Sequence, residues 1–165
     1  MSSQNPSFFN HQIEVVPETS FKSIIKVIGI GGGGSNAVKH MDNLKIKGAD
    51  LIICNTDSQA LASNSVSTKI KLGEQGLGAG TDPEVGKQAA QESQEKIKAV
   101  LSNETKMVFI TAGMGGGTGT GAAPVVAEIA RDRDLLTVAV VSFPYNWEGK
   151  EKIQYARDGI EELKA

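Results

Sequence analysis

Nineteen of the 165 residues are glycine, well above the roughly 7% usual in soluble proteins. Sixteen of them crowd into three stretches: five in 29–34, five in 73–86 and six in 113–121. A disordered glycine-rich linker would bring Ser, Gln and Pro with it and would lack flanking strands. Here the first and third clusters each follow a short apolar, β-rich run, Ile24–Ile30 (IIKVIGI) and Met107–Thr111 (MVFIT). A chain that turns this tightly at strand ends is built to bring its backbone close to something, which points to a ligand.

The rest of the chain supplies the frame. Residues 1–23 are polar, carry Pro6 and Pro17, and read as a flexible N-terminal arm ahead of a domain spanning 24–165. After the first strand and glycine turn, Ala37, Val38, Met41 and Leu44 give Ser35–Leu44 the spacing of an amphipathic helix. Leu51–Cys54 reads as a strand, and Thr68–Leu72 as a weaker one in the poorly patterned stretch after Ala60. A long helix is expected from Thr81/Asp82, with Pro83 in its first turn, a Thr81–Glu84 capping box and a face through Val85, Ala89, Ile97, Val100 and Leu101. Ala122–Arg131 reads as a helix, Leu135–Ser142 (LLTVAVVS) as a buried strand and Lys150–Leu163 as a last helix. Strands and helices alternate, and the strands are apolar throughout rather than every second residue. That predicts an α/β, Rossmann-like, three-layer fold: a mostly parallel sheet with helices on both faces. Ligands in such folds bind beyond the C-terminal ends of the strands, where the first and third glycine clusters and Ser142–Glu148 fall.

Composition removes several functions. With 17 Lys+Arg against 19 Asp+Glu, the net charge is −2, and no basic surplus favours nucleic acid. The longest apolar stretch, Leu135–Val141, is far short of the roughly 20 residues a membrane helix needs. The N-terminus has no signal-peptide pattern, so neither membrane insertion nor export is expected, and a cytoplasmic location is. One cysteine and two histidines offer no structural metal site. Cys54, on a strand, reads as a packed thiol, His40 as a helix residue rather than a ligand, and Trp147, near Tyr145 and Phe143, as packing.

The loops carry the chemistry. Gly29-Ile30-Gly31-Gly32-Gly33-Gly34-Ser35-Asn36 holds a formal G-x-G-x-x-G at 29, 31 and 34, between a strand and a helix. Without Cβ atoms its backbone can bring several N–H groups against an oxyanion, toward which the next helix also points its N-terminal end. Ala112-Gly113-Met114-Gly115-Gly116-Gly117-Thr118-Gly119-Thr120-Gly121 is a second such cradle, and Thr118 and Thr120 add hydroxyls that can donate to phosphate or cap the helix. Two converging cradles suit a di- or triphosphate. A P-loop is excluded on spacing: Gly80 and Gly86 are separated by five residues rather than four, and Gln88 follows Lys87. The first loop alone equally suits NAD or FAD, with Asp50 or Asp57 on the ribose. A dinucleotide-binding half of an oxidoreductase therefore stands as the alternative, and a non-catalytic module that caps filaments as a third.

The segments KVIGIGGGGSNAVKHM, NTDSQAL, GLGAGTDPEVG, FITAGMGGGTGTGAAPVVAEIAR and LTVAVVSFPYNWEGK, in this order from Lys26 onward, resemble the tubulin/FtsZ family of GTPases, and Gly115–Gly121 (GGGTGTG) matches its signature. The resemblance implies a GTP-binding domain of a filament-forming, cytoplasmic cell-division protein that assembles the division ring at midcell. GTP or GDP with Mg²⁺ would be its ligands, and self-association into head-to-tail filaments, together with other division proteins, its partners. Gly32, Gly33, Gly34, Ser35 and Asn36 would contact the phosphates and the neighbouring sugar or base. Gly117, Thr118 and Gly119 would hold the phosphates, with Gly31, Gly115, Gly116 and Thr120 beside them. Gly78-Ala79-Gly80 would face the γ-phosphate, and Glu148 would bind the ribose. Asp57 is a strand-end acid that could approach Mg²⁺.

This chain departs from the family pattern in four places. Lys152 stands where the family has Arg, keeping the charge without the planar fork. Ser35 replaces a Gly of some relatives, and the stretch before Gly78 (LGEQGLGAG) is about three residues shorter than usual. Family members also continue with a further strand, a long central helix that supplies a base contact, and a second domain carrying the acidic hydrolysis loop. The expectation is an incomplete nucleotide-binding domain with no catalytic residue of its own, binding guanine nucleotide weakly at best and not turning GTP over alone.

Overall fold

A computed structural model describes residues 23–164. The expected arm therefore lies outside the described residues except for Ser23, whose hydroxyl donates to the Gly48 carbonyl (2.6 Å) and accepts from the Ile25 amide (3.1 Å). The elements run β1 (Ile25–Ile30), α1 (Gly31–Asn43), β2 (Asp50–Asn55), α2 (Ser58–Ala62), β3 (Thr68–Lys71), α3 (Pro83–Glu92), α4 (Gln94–Val100), β4 (Met107–Gly113), α5 (Gly117–Arg131), β5 (Leu136–Ser142), a 3₁₀ turn (Asn146–Glu148) and α6 (Lys150–Lys164).

Five strands pair in the order β3-β2-β1-β4-β5, every pairing parallel. The expected α/β, Rossmann-like sheet is thus what forms, and all strand C-termini point to one end. The pleat sends alternate residues to opposite faces. Ile28 and Ile30, Ile52 and Cys54, and Val108, Ile110 and Ala112 join Ala90, Ile97, Ala123, Val126 and Ala156 in the larger core, under α3 to α6. Val27 and Ile53 pack with Val38, Leu61 and Val66 in the smaller core, under α1 and α2. Helices cover both faces, as the unbroken apolar strands require. At the far end of β1 and β2 from the strand C-termini, Lys26 is neutralised by Asp50.

Several local expectations are corrected. The helix of the first cluster begins at Gly31 rather than Ser35, and that of the third at Gly117 rather than Ala122. Helix propensity puts glycine outside helices, and close packing overrides it here. A Cβ on Gly86 or Gly121 would meet the backbone of the facing helix, at Gly117 and Pro83 respectively, so α3 and α5 can approach only as bare backbone. The long helix is two, α3 and α4, broken at Ser93. The buried Ser93 hydroxyl accepts from the Gly73 amide (2.9 Å) and donates to the Lys71 carbonyl (3.5 Å), tying the break to the loop after β3. Asp82, not Thr81, caps α3, accepting from the Glu84 amide at 2.9 Å. The stretch after Asn55 contains the helix α2, which the sequence reading passed over. β5 is not buried: it is the sheet edge among the described residues, with Leu136 63% and Val140 59% exposed.

Candidate functional site

All four helices that follow a strand C-terminus or a glycine loop present unpaired N–H groups at their first turns, but they meet them differently. α2 and α3 are capped by carboxylates: Asp57 accepts from the Gln59 (2.8 Å) and Ala60 (3.1 Å) amides, and Asp82 from that of Glu84. Helices α1 and α5, of 13 and 15 residues, have no side-chain cap and no acidic residue in the first turn; Ile30 and Gly116 stand at their cap positions. These two helix N-termini, without a side-chain cap, are the ones the glycine clusters build.

They also meet. A Cβ on Gly31, which has φ +68°, would lie 3.0 Å from the Gly119 nitrogen and 3.3 Å from Thr118 Cβ. One on Gly33 would lie 3.2 Å from the backbone of Gly113. The second cluster closes on the same place, because the Gly117 amide donates to the Gly80 carbonyl (3.1 Å), and a Cβ on Gly117 would lie 2.7 Å from the Ala79 carbonyl oxygen. The first, second and third loops, far apart in sequence, therefore share one corner of the molecule. Toward the outside of that corner, Gly32, Gly80 and Gly116 each have nothing among the described residues within 4 Å of where a side chain would start. Glycine here does two jobs: most of the cluster lets elements touch, and these three leave an open surface over the helix ends.

The remaining expected residues fall as follows. Gly34 is buried, pressed against the Thr111 carbonyl of β4, whereas Asn36 is exposed on α1. Ser35 is buried, its hydroxyl without a partner among the described residues and its carbonyl accepting from Asn64 Nδ2 (3.4 Å). Ala79 is 7% exposed and its carbonyl accepts from Asp82 N. Thr118 Oγ1 lies 2.7 Å from Thr56 Oγ1, both buried. Thr120 Oγ1 accepts from the Gly115 amide at 2.8 Å, so that hydroxyl braces its own loop. Glu148 Oε1 accepts from the Tyr145 amide (2.9 Å), and Lys152 Nζ sits 3.5 Å from Glu148 Oε2. This corner reaches the third loop through Gly115, where a Cβ would lie 3.0 Å from the Lys152 carbonyl oxygen. Asp57 is occupied as the α2 cap. Trp147, expected to be packed, is instead 81% exposed and stacked on Tyr145 with ring centres 5.5 Å apart. His40 is exposed, and Cys54 is fully buried with its thiol pushed up to about 12 by burial.

Thr56 is the residue the sequence reading missed. The sequence marks it only by its place directly after a strand, beside Asp57. Among the described residues no group of three or more His, Cys, Asp or Glu could hold a metal ion, and no helix is long and apolar enough to cross a membrane.

Such a corner, two uncapped helix N-termini lined by open backbone, suits an anion rather than a cation or an apolar ligand. Comparison with known proteins identifies the family of the chain and its fold. The profile of the Tubulin/FtsZ family, GTPase domain, matches residues 24–165. A cell division protein FtsZ of Wigglesworthia glossinidia brevipalpis is 52% identical over 149 residues, covering 88% of this chain and 38% of the relative. One from Azotobacter vinelandii is 53% identical over 150 residues, covering 89% and 38%. Among solved structures, an empty FtsZ dimer from M. jannaschii superposes with a TM-score of 0.84 at 46% identity, covering 88% of this chain and 43% of that one. A GTPγS-bound protofilament of CetZ2 from Haloferax volcanii does so with 0.75 at 26% identity, over 84% and 45%. The chain thus spans well under half the length of these relatives, and the oxidoreductase alternative finds no support among them. By its sequence and its fold, the chain belongs to the tubulin/FtsZ family.

Proposed function

We propose that this chain is the part of an FtsZ-like, filament-forming cell-division GTPase that holds the phosphates of GTP or GDP. The observation that carries the reading is the meeting of Gly31 with Thr118 and Gly119, which sets two uncapped helix N-termini side by side. Each such N-terminus carries the equivalent of about half a positive charge and several free N–H donors. One alone would suit a single phosphate; two suit a di- or triphosphate and leave no need for a lysine. The donor set fits: open backbone at Gly32, Gly80 and Gly116, the Thr118 hydroxyl beside them, and no carboxylate in either first turn to compete with the ligand.

The neighbouring residues take the finer roles. Gly33, Gly34, Ser35 and Asn36 line the α1 side toward the phosphates and sugar. Ala79 and Gly80 lie where a terminal phosphate would be read, and Glu148 with Lys152 offers a carboxylate to ribose hydroxyls. Asp57 and Asp82 are spent as helix caps, so a Mg²⁺ ion would be held chiefly by the nucleotide, where it would neutralise phosphate charge. Nucleotide-promoted, head-to-tail self-association and a place in the cytoplasmic division ring belong to the longer protein, as does turnover of GTP, for which the described residues offer no water-orienting carboxylate at the open corner.

The test is equilibrium binding of a fluorescent guanine nucleotide to the purified chain, with unlabelled competitors. Saturable binding displaced by GTP and GDP but not by NADH supports the reading, together with no phosphate release by the chain alone. Displacement by NADH with indifference to GTP would return the chain to the oxidoreductase class.

A further inference from the structure

One buried hydroxyl pair lies at the junction of all three loops. Thr56, directly after β2, is 4% exposed and Thr118, in the first turn of α5, 8%. Their hydroxyl oxygens are 2.7 Å apart. Each hydroxyl has one hydrogen and two lone pairs, so the pair consumes one hydrogen and leaves the other to be placed elsewhere. Thr118 is bounded on its other side by the backbone of Gly31. The Thr56 main chain meanwhile serves the second loop: its carbonyl accepts from the Gly78 amide (3.1 Å), next to Ser58 N donating to the Gly76 carbonyl (3.0 Å) and a bridge between Asp57 and Leu77. The other end of that loop is fixed by Gly117 N donating to the Gly80 carbonyl. The segment from Gly76 to Gly80 is thereby strung between Thr56 and the start of α5.

We propose that Thr56 is a positioning residue for the anion site: its hydroxyl donates to Thr118 Oγ1, which directs the Thr118 hydrogen at a ligand phosphate oxygen, while its carbonyl ties the Gly78–Gly80 loop to the same point. This rests on the phosphate-binding reading above and adds to it a residue that never touches the ligand. A hydroxyl that already accepts a hydrogen bond is polarised toward donating its own. An anion arriving at Thr118 therefore fixes the direction of the whole chain of hydrogen bonds, and the second loop is held by the residue that completes it. Burial makes the arrangement demanding, since a buried hydroxyl left without its partner costs more than an exposed one.

The experiment measures affinity for GTP and GDP, and amide hydrogen exchange at Gly78–Gly80, in Thr56→Val, Thr56→Ser, Thr118→Val and the double valine variant of the full chain. Thr56→Val, which keeps the shape and removes the hydroxyl, is expected to weaken both nucleotides about tenfold, the scale of one hydrogen bond to a charged group. Thr56→Ser is expected to restore binding, and the double variant to bind no worse than Thr118→Val alone, because Thr56 acts through that hydroxyl. Native-like binding by Thr56→Val, or losses that multiply in the double variant, would overturn the proposal and leave the phosphate site standing. Should Thr56→Val fail to fold, Thr118→Val carries the test. Nucleotide-induced protection at Gly78–Gly80 must disappear in that variant, and protection that persists overturns the proposal. No guanine nucleotide binding by the native chain would instead remove the reading beneath it.

Discussion

Gly31 turns its open side to the main-chain nitrogen of Gly119, so closely that a Cβ there would sit 3.0 Å from it. With φ at +68°, Gly31 also occupies backbone space that L residues adopt at a cost of about 1–2 kcal/mol. Gly31→Ala is therefore expected to lower the thermal midpoint by several degrees and to weaken guanine nucleotide binding, since it pushes the two helix ends apart. Gly121→Ala makes the comparison: it forces α5 off Pro83 one helical turn further along α5 from Gly117, costing roughly 1–3 kcal/mol or more as overpacking. Thermal melts with and without GTP separate the two. Both variants lose stability, and Gly31→Ala in addition loses the stabilisation that GTP confers on the native chain.

Gly32 and Gly116 behave in the opposite way. None of the described residues lies within 4 Å of a Cβ on either, and neither has a positive φ. In the first turn of α1, Gly32→Ala gains up to about 1 kcal/mol of helix propensity. The expectation is a melting point unchanged or raised in both alanine variants, with guanine nucleotide affinity reduced severalfold because the new methyl covers the amides. Titration calorimetry beside thermal melts reads both quantities. A variant that melts higher and binds as tightly as the native chain would show that these glycines face away from the ligand.

Cys54 lies on β2 within the larger core, and burial pushes its thiol from the ordinary 9.0 up to about 12. The sign follows from proton counting. Between those values the unfolded chain releases the thiol proton and the folded chain keeps it, so stability is undiminished below pH 9 and falls as pH rises through the window. The slope contributed is up to about 1.4 kcal/mol per pH unit. Denaturant melts between pH 8 and 11 should show a steeper decline for the native chain than for Cys54→Ala, whatever the offset between them. At pH 8 the folded thiol should resist alkylation until denaturant opens the core.

Trp147 is open to water and stacks on Tyr145 with the ring planes 7° apart. Its emission should be red-shifted in the folded chain and quenched by iodide nearly as well as in denaturant. Trp147→Ala should leave stability within about 0.5 kcal/mol, as for other exposed positions. A blue-shifted, shielded tryptophan would mean that this turn packs against something in solution.

Much of the fold could be read from apolar runs alone. Ile25–Ile30, Asp50–Asn55 and Met107–Gly113 are strands because their β-branched residues are covered on both faces, and unalternating runs of this kind announce a parallel sheet. The glycine clusters gave away the corner, but not its construction. Which glycines let helices touch, as Gly86 and Gly121 do, and which leave space open, as Gly32 and Gly116 do, depends on partners from distant segments. The same gap explains the late helix starts expected for α1 and α5, since local propensity weighs a glycine without seeing the backbone pressed against it. Val140 looked like core by composition, and only its place on the outermost described strand leaves it exposed. Thr56 was invisible for a related reason: its hydroxyl matters through Thr118, 62 residues away.

The central claim is that the helix ends at Gly32–Gly34 and Gly117–Gly119 grip one guanine nucleotide together. Backbone amide NMR of the 15N-labelled chain, titrated with GDP, tests it most directly. The amides of both segments should shift in a single saturable process with one shared dissociation constant, and NADH should move neither. Shifts confined to one segment, two segments saturating at different concentrations, or a response to NADH alone would contradict it.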